Sequence, residues 1–383
     1  MTPGARLQSA IEILDRILAR QPAEQALTNW ARGHRFAGSK DRAAIRDHVF
    51  DCIRCKRSFA HLGGRTDGRG LVLGLLRDAG TDPETLFTGE GYGPRKLAQD
   101  DMPDPAPMPR AVALDCPDWL LPELDRSLGA NTDQVLLAMR HRAPVFLRVN
   151  EARATREQAA ALLAADGIET RPVPLANTAL EVTAQARRVR QSAAFADGLI
   201  ELQDAASQAV IAALPDISGA KVLDYCAGGG GKALAMAARG ADVTAHDADA
   251  ARMKDLPERA ARAGVQIACC ARPEGVFDLV LADVPCSGSG AWRRAPEGKW
   301  ALTPDRLAQL RTLQQEILAK AWAHVRPGGC LAYATCSLLD VENDLAVACF
   351  ATTIGGRSPS NTLNLTPLDG GDGFFGSLIH KAI

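Results

Sequence analysis

Two short runs in the C-terminal half each place a cysteine directly after a stretch that reads as a β-strand. The first is Asp283-Val284-Pro285-Cys286-Ser287-Gly288-Ser289-Gly290 and the second is Ala334-Thr335-Cys336-Ser337. Cysteine gives appreciable thiolate near neutral pH, adds to electrophilic carbon and can later depart, so a strand-end cysteine is a candidate nucleophile. A lone buried cysteine is more often a small apolar residue. Two of them at neighbouring strand ends, one behind Asp-Val-Pro, favour chemistry in which one thiol attacks and a second group moves a proton. Asp283 adds a carboxyl that can hydrogen-bond to a substrate ring and stabilise its activated form.

A second run, Asp224-Tyr225-Cys226-Ala227-Gly228-Gly229-Gly230-Gly231-Lys232, ends a strand and opens a helix. Its glycines allow a sharp turn and close approach of a ligand, and the free N–H groups at the helix start favour an anionic group such as a carboxylate. On its own such a turn is compatible with a dinucleotide, a phosphate or tight packing. It is not a phosphate-cradling G-x-x-x-x-G-K-[ST] loop, because Ala233 follows the lysine. Asp247 ends the next strand, where a carboxylate can accept both hydroxyls of a ribose or, more plainly, cap the following helix.

Elements of two kinds must position these groups. From residue 219 onward strands alternate with helices: Lys221 to Ala227, Asp242 to Asp247, Val265 to Cys270, Phe277 to Val284 and Cys330 to Thr335. Continuous apolar strands separated by helices predict a doubly wound, Rossmann-like α/β domain with a parallel sheet covered on both faces. Ligands bind such sheets beyond the carboxyl ends of the strands, which places both cysteines beside the glycine loop.

The preceding region, 143 to 203, reads as a small α+β unit of ferredoxin-like order: strand Val145 to Asn150, helix Thr155 to Ala165, strands Ile168 to Pro174 and Leu180 to Thr183. Its arginines, among them Arg148, Arg153, Arg187, Arg188 and Arg190, suit phosphate contact or a structural and solvent-facing role equally. Residues 5 to 79 show helical spacing throughout, as in Leu7, Ile11, Leu14, Ile17 and Leu18. Here Ser39 to Phe50 is expected as a basic helix with Ser39 as N-cap and Lys40, Arg42 and Arg46 on its polar side. A Gly- and Pro-rich surface connection, Thr88 to Pro109, leads to a helical pair at Pro117 to Leu128 and Thr132 to His141. The expected domains are therefore 1–142, 143–215 and 216–383.

Composition excludes several classes. The 383 residues carry a net charge of −1 and no apolar run long enough to span a bilayer, and the first ten residues lack a secretory core. A cytoplasmic monomer with no membrane association and no metal is expected. The ten cysteines are scattered, and Cys52 and Cys55 have no second pair to complete a zinc site, so they read as helix residues in a reducing compartment. The low net charge hides 13 Lys/Arg against 7 Asp/Glu in residues 1–70, an excess suited to phosphates or to a solvated helix face.

Taken together, these motifs resemble the NOL1/NOP2/Sun family of RNA cytosine-5 methyltransferases, and most closely its bacterial ribosomal RNA branch. Residues 224–232 are similar to the family's cofactor motif and residues 283–290 to its Asp-x-Pro-Cys-Ser-Gly motif. Arg293-Arg294-Ala295-Pro296 with Trp300, Gln314 to Leu318, Thr335-Cys336-Ser337, Glu342-Asn343 and Asp372-Gly373-Phe374-Phe375 are similar to the segments that follow. The helical start resembles an RNA-binding domain related to the antitermination factor NusB, and the segment near Phe146 to Asn150 a family RNA-recognition subdomain.

The resemblance implies methylation of carbon 5 of a cytosine in RNA, with 16S ribosomal RNA as partner and S-adenosyl-L-methionine as cofactor. Carbon 5 is a poor nucleophile until a thiolate adds to carbon 6, and its proton must then be removed before the thiol is expelled. Position by position, Cys336 is implied to be the nucleophile and Cys286 the residue needed for release. Cys226, Ala227, Gly228, Gly229, Gly230, Gly231, Lys232, Asp247 and Asp283 are implied to line the cofactor or base pocket. Where the family has an acidic residue near the adenine, this chain has Cys270, and its helical domain and residues 354–368 are shorter. The competing readings are a DNA or tRNA cytosine-5 methyltransferase, the former with Cys286 as nucleophile, and a non-catalytic RNA-binding assembly factor. The Thr335-Cys336 pair and the basic helical start favour RNA, and the intact glycine loop and cysteines favour an enzyme.

Overall fold

The computed structural model describes residues 1–103, 106–356 and 359–383. The connection 88–109 and the segment 354–368 therefore lie partly outside the described residues. The chain divides into two compact units.

The first unit comprises residues 1–125, 129–142 and 292–301. Helices Pro3–Leu18, Ala23–Gly33, Ser39–Arg54, Lys56–Gly63 and Gly68–Asp78 form it, with residues 121–125 and the helix Thr132–Ala138. Leu7, Ile11, Ile13, Leu14, Trp30, Ile45, Val49, Phe59 and Leu71 meet in one apolar cluster, the result of helical spacing. Thr2 caps the first helix by accepting from the Ala5 amide. The basic helix starts at Ser39, but Gly38 is its cap residue, so Ser39 lies in the first turn and caps nothing. Gly63 has a steric reason: a Cβ there would stand 1.9 Å from the Gly70 carbonyl oxygen, where two helices touch.

Cys52 and Cys55 are buried in this unit, and burial pushes the Cys55 thiol up to about 12. Part of its basic charge is held in ion pairs: Arg6 with Asp41, Arg46 with Glu24, Arg57 with Asp118, Arg65 with Asp67 and Arg69 with Asp101. The late segment Trp292–Ala301 is pinned by Arg54 Nε donating to Arg293 O (2.8 Å), Lys299 Nζ to Arg54 O (3.0 Å) and Trp300 Nε1 to Ile53 O (2.7 Å).

The second unit comprises residues 126–128, 143–291 and 302–383 and contains two sheets. The smaller holds β1 (Val145–Val149), β2 (Thr170–Pro172), β3 (Ala179–Val182) and β4 (Ile200–Leu202), all antiparallel, in the order β2-β3-β1-β4. With helix Arg156–Ala165 after β1 and the short helix Ala193–Ala196 before β4, this is the ferredoxin-like order. A Thr155 and Gln158 capping box starts the first of these helices.

The larger sheet holds β5 (Lys221–Asp224), β6 (Asp242–His246), β7 (Ile267–Cys270), β8 (Phe277–Asp283), β9 (Val325–Thr335), β10 (Ser360–Leu365) and β11 (Phe374–His380), in the order β10-β11-β9-β8-β5-β6-β7. β5 to β9 are parallel, as expected, but β11 runs antiparallel to β9 and β10 antiparallel to β11, so the sheet is mixed. Alternate residues feed two cores. Val222, Leu279, Leu281, Ala332 and Ala334 enter one, while Leu223, Val280, Ala282, Leu331 and Tyr333 enter the other. Helices Gly231–Ala238 and Leu256–Ala263 contribute to the first core, Pro304–Ala323 and Asp344–Thr353 to the second. No helix among the described residues is long and apolar enough to cross a membrane.

Leu223, fully buried in the central strand β5, should on substitution by alanine lower the unfolding free energy by about 2–5 kcal/mol in denaturant titration. Arg69 holds the Asp101 carboxyl down to about 2, against about 3.9 for an ordinary aspartate. A depressed folded-state value contributes stability above the unfolded value that is lost as pH falls through the folded one. The stability difference between the native protein and Asp101→Asn should therefore be full at neutral pH and shrink between about pH 4 and pH 2.

Candidate active site

The topological switch of the larger sheet lies between β5 and β8, whose neighbours on the other side are β6 and β9. Residues 225–230 leave β5 and turn into the helix Gly231–Ala238. Gly228 (φ +52°) and Gly230 (φ +80°) take left-handed conformations, and a Cβ on Gly230 would stand 2.2 Å from Leu256 Cδ1. The loop is tied to β6 by Ala227 N donating to His246 O (2.9 Å) and Gly228 N to Asp247 Oδ2 (2.8 Å). Asp247 is buried and also accepts from Arg252 Nη1 at 3.1 Å and from the Asp249 amide at 3.0 Å.

Lys232, on the first turn of the helix, reaches back to Asp283 at the end of β8, with Nζ 2.6 Å from Oδ2 and 4.7 Å from the Phe374 ring centroid. Burial works against its charge, but the carboxylates of Asp283 and Asp224 outweigh it and hold the ammonium above the usual lysine range. Asp224 is buried, and its two oxygens have no hydrogen-bond partner among the described residues. Burial, opposed by Lys232 and reinforced by Asp283 and Asp247, pushes its carboxyl up to about 7. Cys226 lies among the same carboxylates, and burial with their charge holds its thiol strongly protonated. The cleft thus combines three carboxylates and a strained glycine turn with Lys232 and Arg252. Such a donor set fits a ligand that carries positive charge, while the helix-start amides suit a carboxylate.

The two cysteines meet. In the parallel register of β8 and β9, Asp283 stands opposite Ala334. Three residues on from Asp283 and two on from Ala334, Cys286 Sγ and Cys336 Sγ are 3.5 Å apart. Val284 N donates to Ala334 O (3.0 Å) and Gly290 N to Cys336 O (2.9 Å), locking both loops together. The contact with Cys336, then burial, holds the Cys286 thiol well above the usual range. Either sulfur can be the donor in this contact, so the two thiols stand close enough to share a proton.

Of the residues singled out from sequence, the structure brings together Lys232, Asp283, Cys286 and Cys336, and ties Gly228 to Asp247. Cys270 stands on the edge strand β7, where its carbonyl faces His246 Nδ1 at 3.3 Å. Arg148 is no phosphate ligand. It is buried on β1, where it donates to Gln203 Oε1 and, at 2.5 Å, to Gly231 O. Arg153 similarly holds the carbonyls of Asp197 and Arg262. Sequence reasoning missed Asp224 as a buried, unpartnered carboxylate, as well as the grip of Arg148 and Arg259 on the carbonyls of Gly231 and Gly229. It also gave no role to Gln314, Glu342 and Asn343, whose side chains are buried near the cysteine loops. The one signal was polar residues inside otherwise apolar helical or turn segments.

Comparison with known proteins agrees with this architecture. A family model described as 16S rRNA methyltransferase RsmB/F matches residues 211–364, and one described as the ferredoxin-like domain of RsmF/B-like methyltransferases matches residues 116–189. The ribosomal RNA small subunit methyltransferase B of Erwinia tasmaniensis is 35% identical over 328 residues, 80% of this chain and 72% of that protein. Its counterpart in Vibrio cholerae is 38% identical over 245 residues, 61% of this chain and only 56% of that protein's length. A methyltransferase homolog protein from Pyrococcus horikoshii shares the fold, with TM-score 0.62 and 24% identity over 72% of this chain and 98% of its own. On the strength of these matches, the chain belongs to the RsmB/F family of 16S rRNA methyltransferases.

Proposed function

We propose that the protein transfers a methyl group from S-adenosylmethionine to carbon 5 of a cytosine in RNA, with 16S ribosomal RNA, the substrate named in the matching family model, as the target. The observation that carries the reading is the 3.5 Å approach of two thiols at the ends of adjacent strands, beside a glycine turn. The cofactor, when bound, supplies an electrophilic methyl group on a sulfonium. Gly228 to Lys232, Asp247 and the acid-rich floor at Asp224 are the residues that would hold it.

Cys336, as its thiolate, attacks carbon 6 of the ring, and the displaced ring electrons make carbon 5 nucleophilic. Asp283, oriented by Lys232, hydrogen-bonds to the ring and stabilises the charge that develops there. Bonding of Cys336 to carbon 6 removes the strongest of the influences that keep Cys286 protonated. Cys286 thereby becomes easier to ionise at the step that needs a base. As thiolate it takes the carbon 5 proton of the methylated ring, and the returning electrons expel Cys336.

The target base must be splayed out of any stack to reach this cleft. We assign RNA gripping to two further parts, the NusB-like helical region 1–142 and the ferredoxin-like region 143–215, with catalysis in 216–383 in the cytosol. The exposed arginines Arg188 and Arg190 are better placed for phosphate than Arg148.

Cys336→Ala should lower the formation of 5-methylcytosine in RNA by about a thousandfold or more, read by nucleoside mass spectrometry. Methylation at the native rate would overturn the assignment. Cys286→Ala should instead accumulate a covalent protein–RNA species, visible as a slowed band on a denaturing gel; its absence would remove Cys286 from product release. Gly230→Ala, forced against Leu256 in a left-handed conformation, should weaken S-adenosylmethionine binding in equilibrium dialysis by about tenfold or more. Unchanged affinity would place the cofactor elsewhere.

A further inference from the structure

We propose that Glu342 is a positioning residue for this site, its buried carboxylate setting the spacing of the Cys286 and Cys336 loops; the inference rests on the two-thiol reading above. Glu342 is fully buried in the short turn Asp340–Glu342 between β9 and the helix Asp344–Thr353. Its Oε1 accepts from the Ser287 amide (2.8 Å) and from Gln314 Nε2 (3.0 Å). Its Oε2 accepts from Ser287 Oγ (2.5 Å) and Ser337 Oγ (2.6 Å). Ser287 follows Cys286 and Ser337 follows Cys336, so one carboxylate oxygen binds the residue after each cysteine. Gln314 extends the clamp by donating also to Pro285 O at 3.0 Å, on the other side of Cys286.

Three observations separate positioning from plain packing. Four neutral donors satisfy the carboxylate, and among the described residues no salt bridge offsets its charge. A buried charge held only by neutral donors is expensive to desolvate, so a glutamate here is a costly choice for filling space alone. The turn itself is held independently, by Tyr333 Oη donating to Glu342 O (2.6 Å), Thr335 Oγ1 to Asn343 Oδ1 (2.6 Å) and Asn343 Nδ2 to Ser337 O (2.9 Å). Removing the carboxylate therefore leaves the turn anchored and the backbone bond from Gly290 to Cys336 in place, but takes away the shared acceptor that holds Ser287 and Ser337, the residues beside the two thiols. Finally, the Glu342 charge adds to the influences of Cys336 and burial that keep the proton on Cys286.

The test reads thiol spacing without RNA or cofactor. Diamide takes one proton and one electron from each thiol, becomes the hydrazine and leaves a Cys286–Cys336 disulfide, whose rate of formation is followed by peptide mass mapping. Glu342→Ala should slow this closure and lower kcat by about tenfold or more each, with S-adenosylmethionine affinity unchanged. Glu342→Gln, which keeps an acceptor for Gln314 and can bond to both hydroxyls, should restore closure to within about threefold of native. The double variant Ser287→Ala with Ser337→Ala should slow closure by roughly three- to tenfold and covers the case in which Glu342→Ala does not fold. Native closure and kcat in Glu342→Ala, or a defect that Glu342→Gln leaves as large, would overturn the positioning role. Slowed closure in a protein that makes no 5-methylcytosine even in native form would instead sink the cytosine reading and leave the clamp standing.

Discussion

Parallel pairing of β8 with β9 governs how close two thiols can come. Because Asp283 stands opposite Ala334, the two chains leave the sheet side by side, and every residue beyond that point is set by what the loops bind. Backbone bonds from Val284 to Ala334 and from Gly290 to Cys336 carry the register past the sheet, and the Glu342 carboxylate closes it at Ser287 and Ser337. A one-residue slip would point one cysteine away from the other. The apolar residues on both faces of the sheet, Leu223, Val280 and Leu331 on one side and Leu279, Leu281 and Ala332 on the other, resist that slip.

Electrostatics gives the cleft its polarity. Asp224, Asp247 and Asp283 surround the glycine turn, and Lys232 bonds to Asp283 while Arg252 bonds to Asp247. Asp224, at the end of β5, has Lys232 nearby but no hydrogen-bond partner for its carboxylate oxygens among the described residues. The same turn is gripped from behind by Arg148 and Arg259 through the carbonyls of Gly231 and Gly229. Both arginines also bond within the region of the ferredoxin-like sheet, at Gln203 and Glu201. The glycine turn is therefore held by the small sheet as well as by its own strand, which binds the geometry of the two subdomains of this unit together.

Much of this was legible in the chain itself. Strands β5 to β9 announce themselves as apolar runs, and the glycine turn and both cysteines sit at their ends, where the rule for open α/β sheets places a ligand. What stayed hidden has physical reasons. β4 is only Ile200-Glu201-Leu202, too short for alternation to show, and β10 is the polar edge run Ser360 to Leu365. The antiparallel pairing of β11 with β9 leaves no local mark, since direction is set by partners distant in sequence. Whether Arg148 contacts phosphate or is structural stayed open, because nothing local reveals that Gly231, 83 residues away, accepts its hydrogen bond. Glu342 was visible as a residue but not as a clamp, because its donors lie 5, 28 and 55 positions off.

The central claim is that Cys336, and not Cys286, forms the bond to the cytosine ring. RNA substrate carrying 5-fluorocytidine tests it most directly, because fluorine at carbon 5 cannot be removed as a proton and arrests the reaction at the covalent stage. Digestion of the trapped complex and mass mapping should find the modified base on the peptide that contains Cys336. Attachment at Cys286, or no attachment in an otherwise active enzyme, would contradict the account.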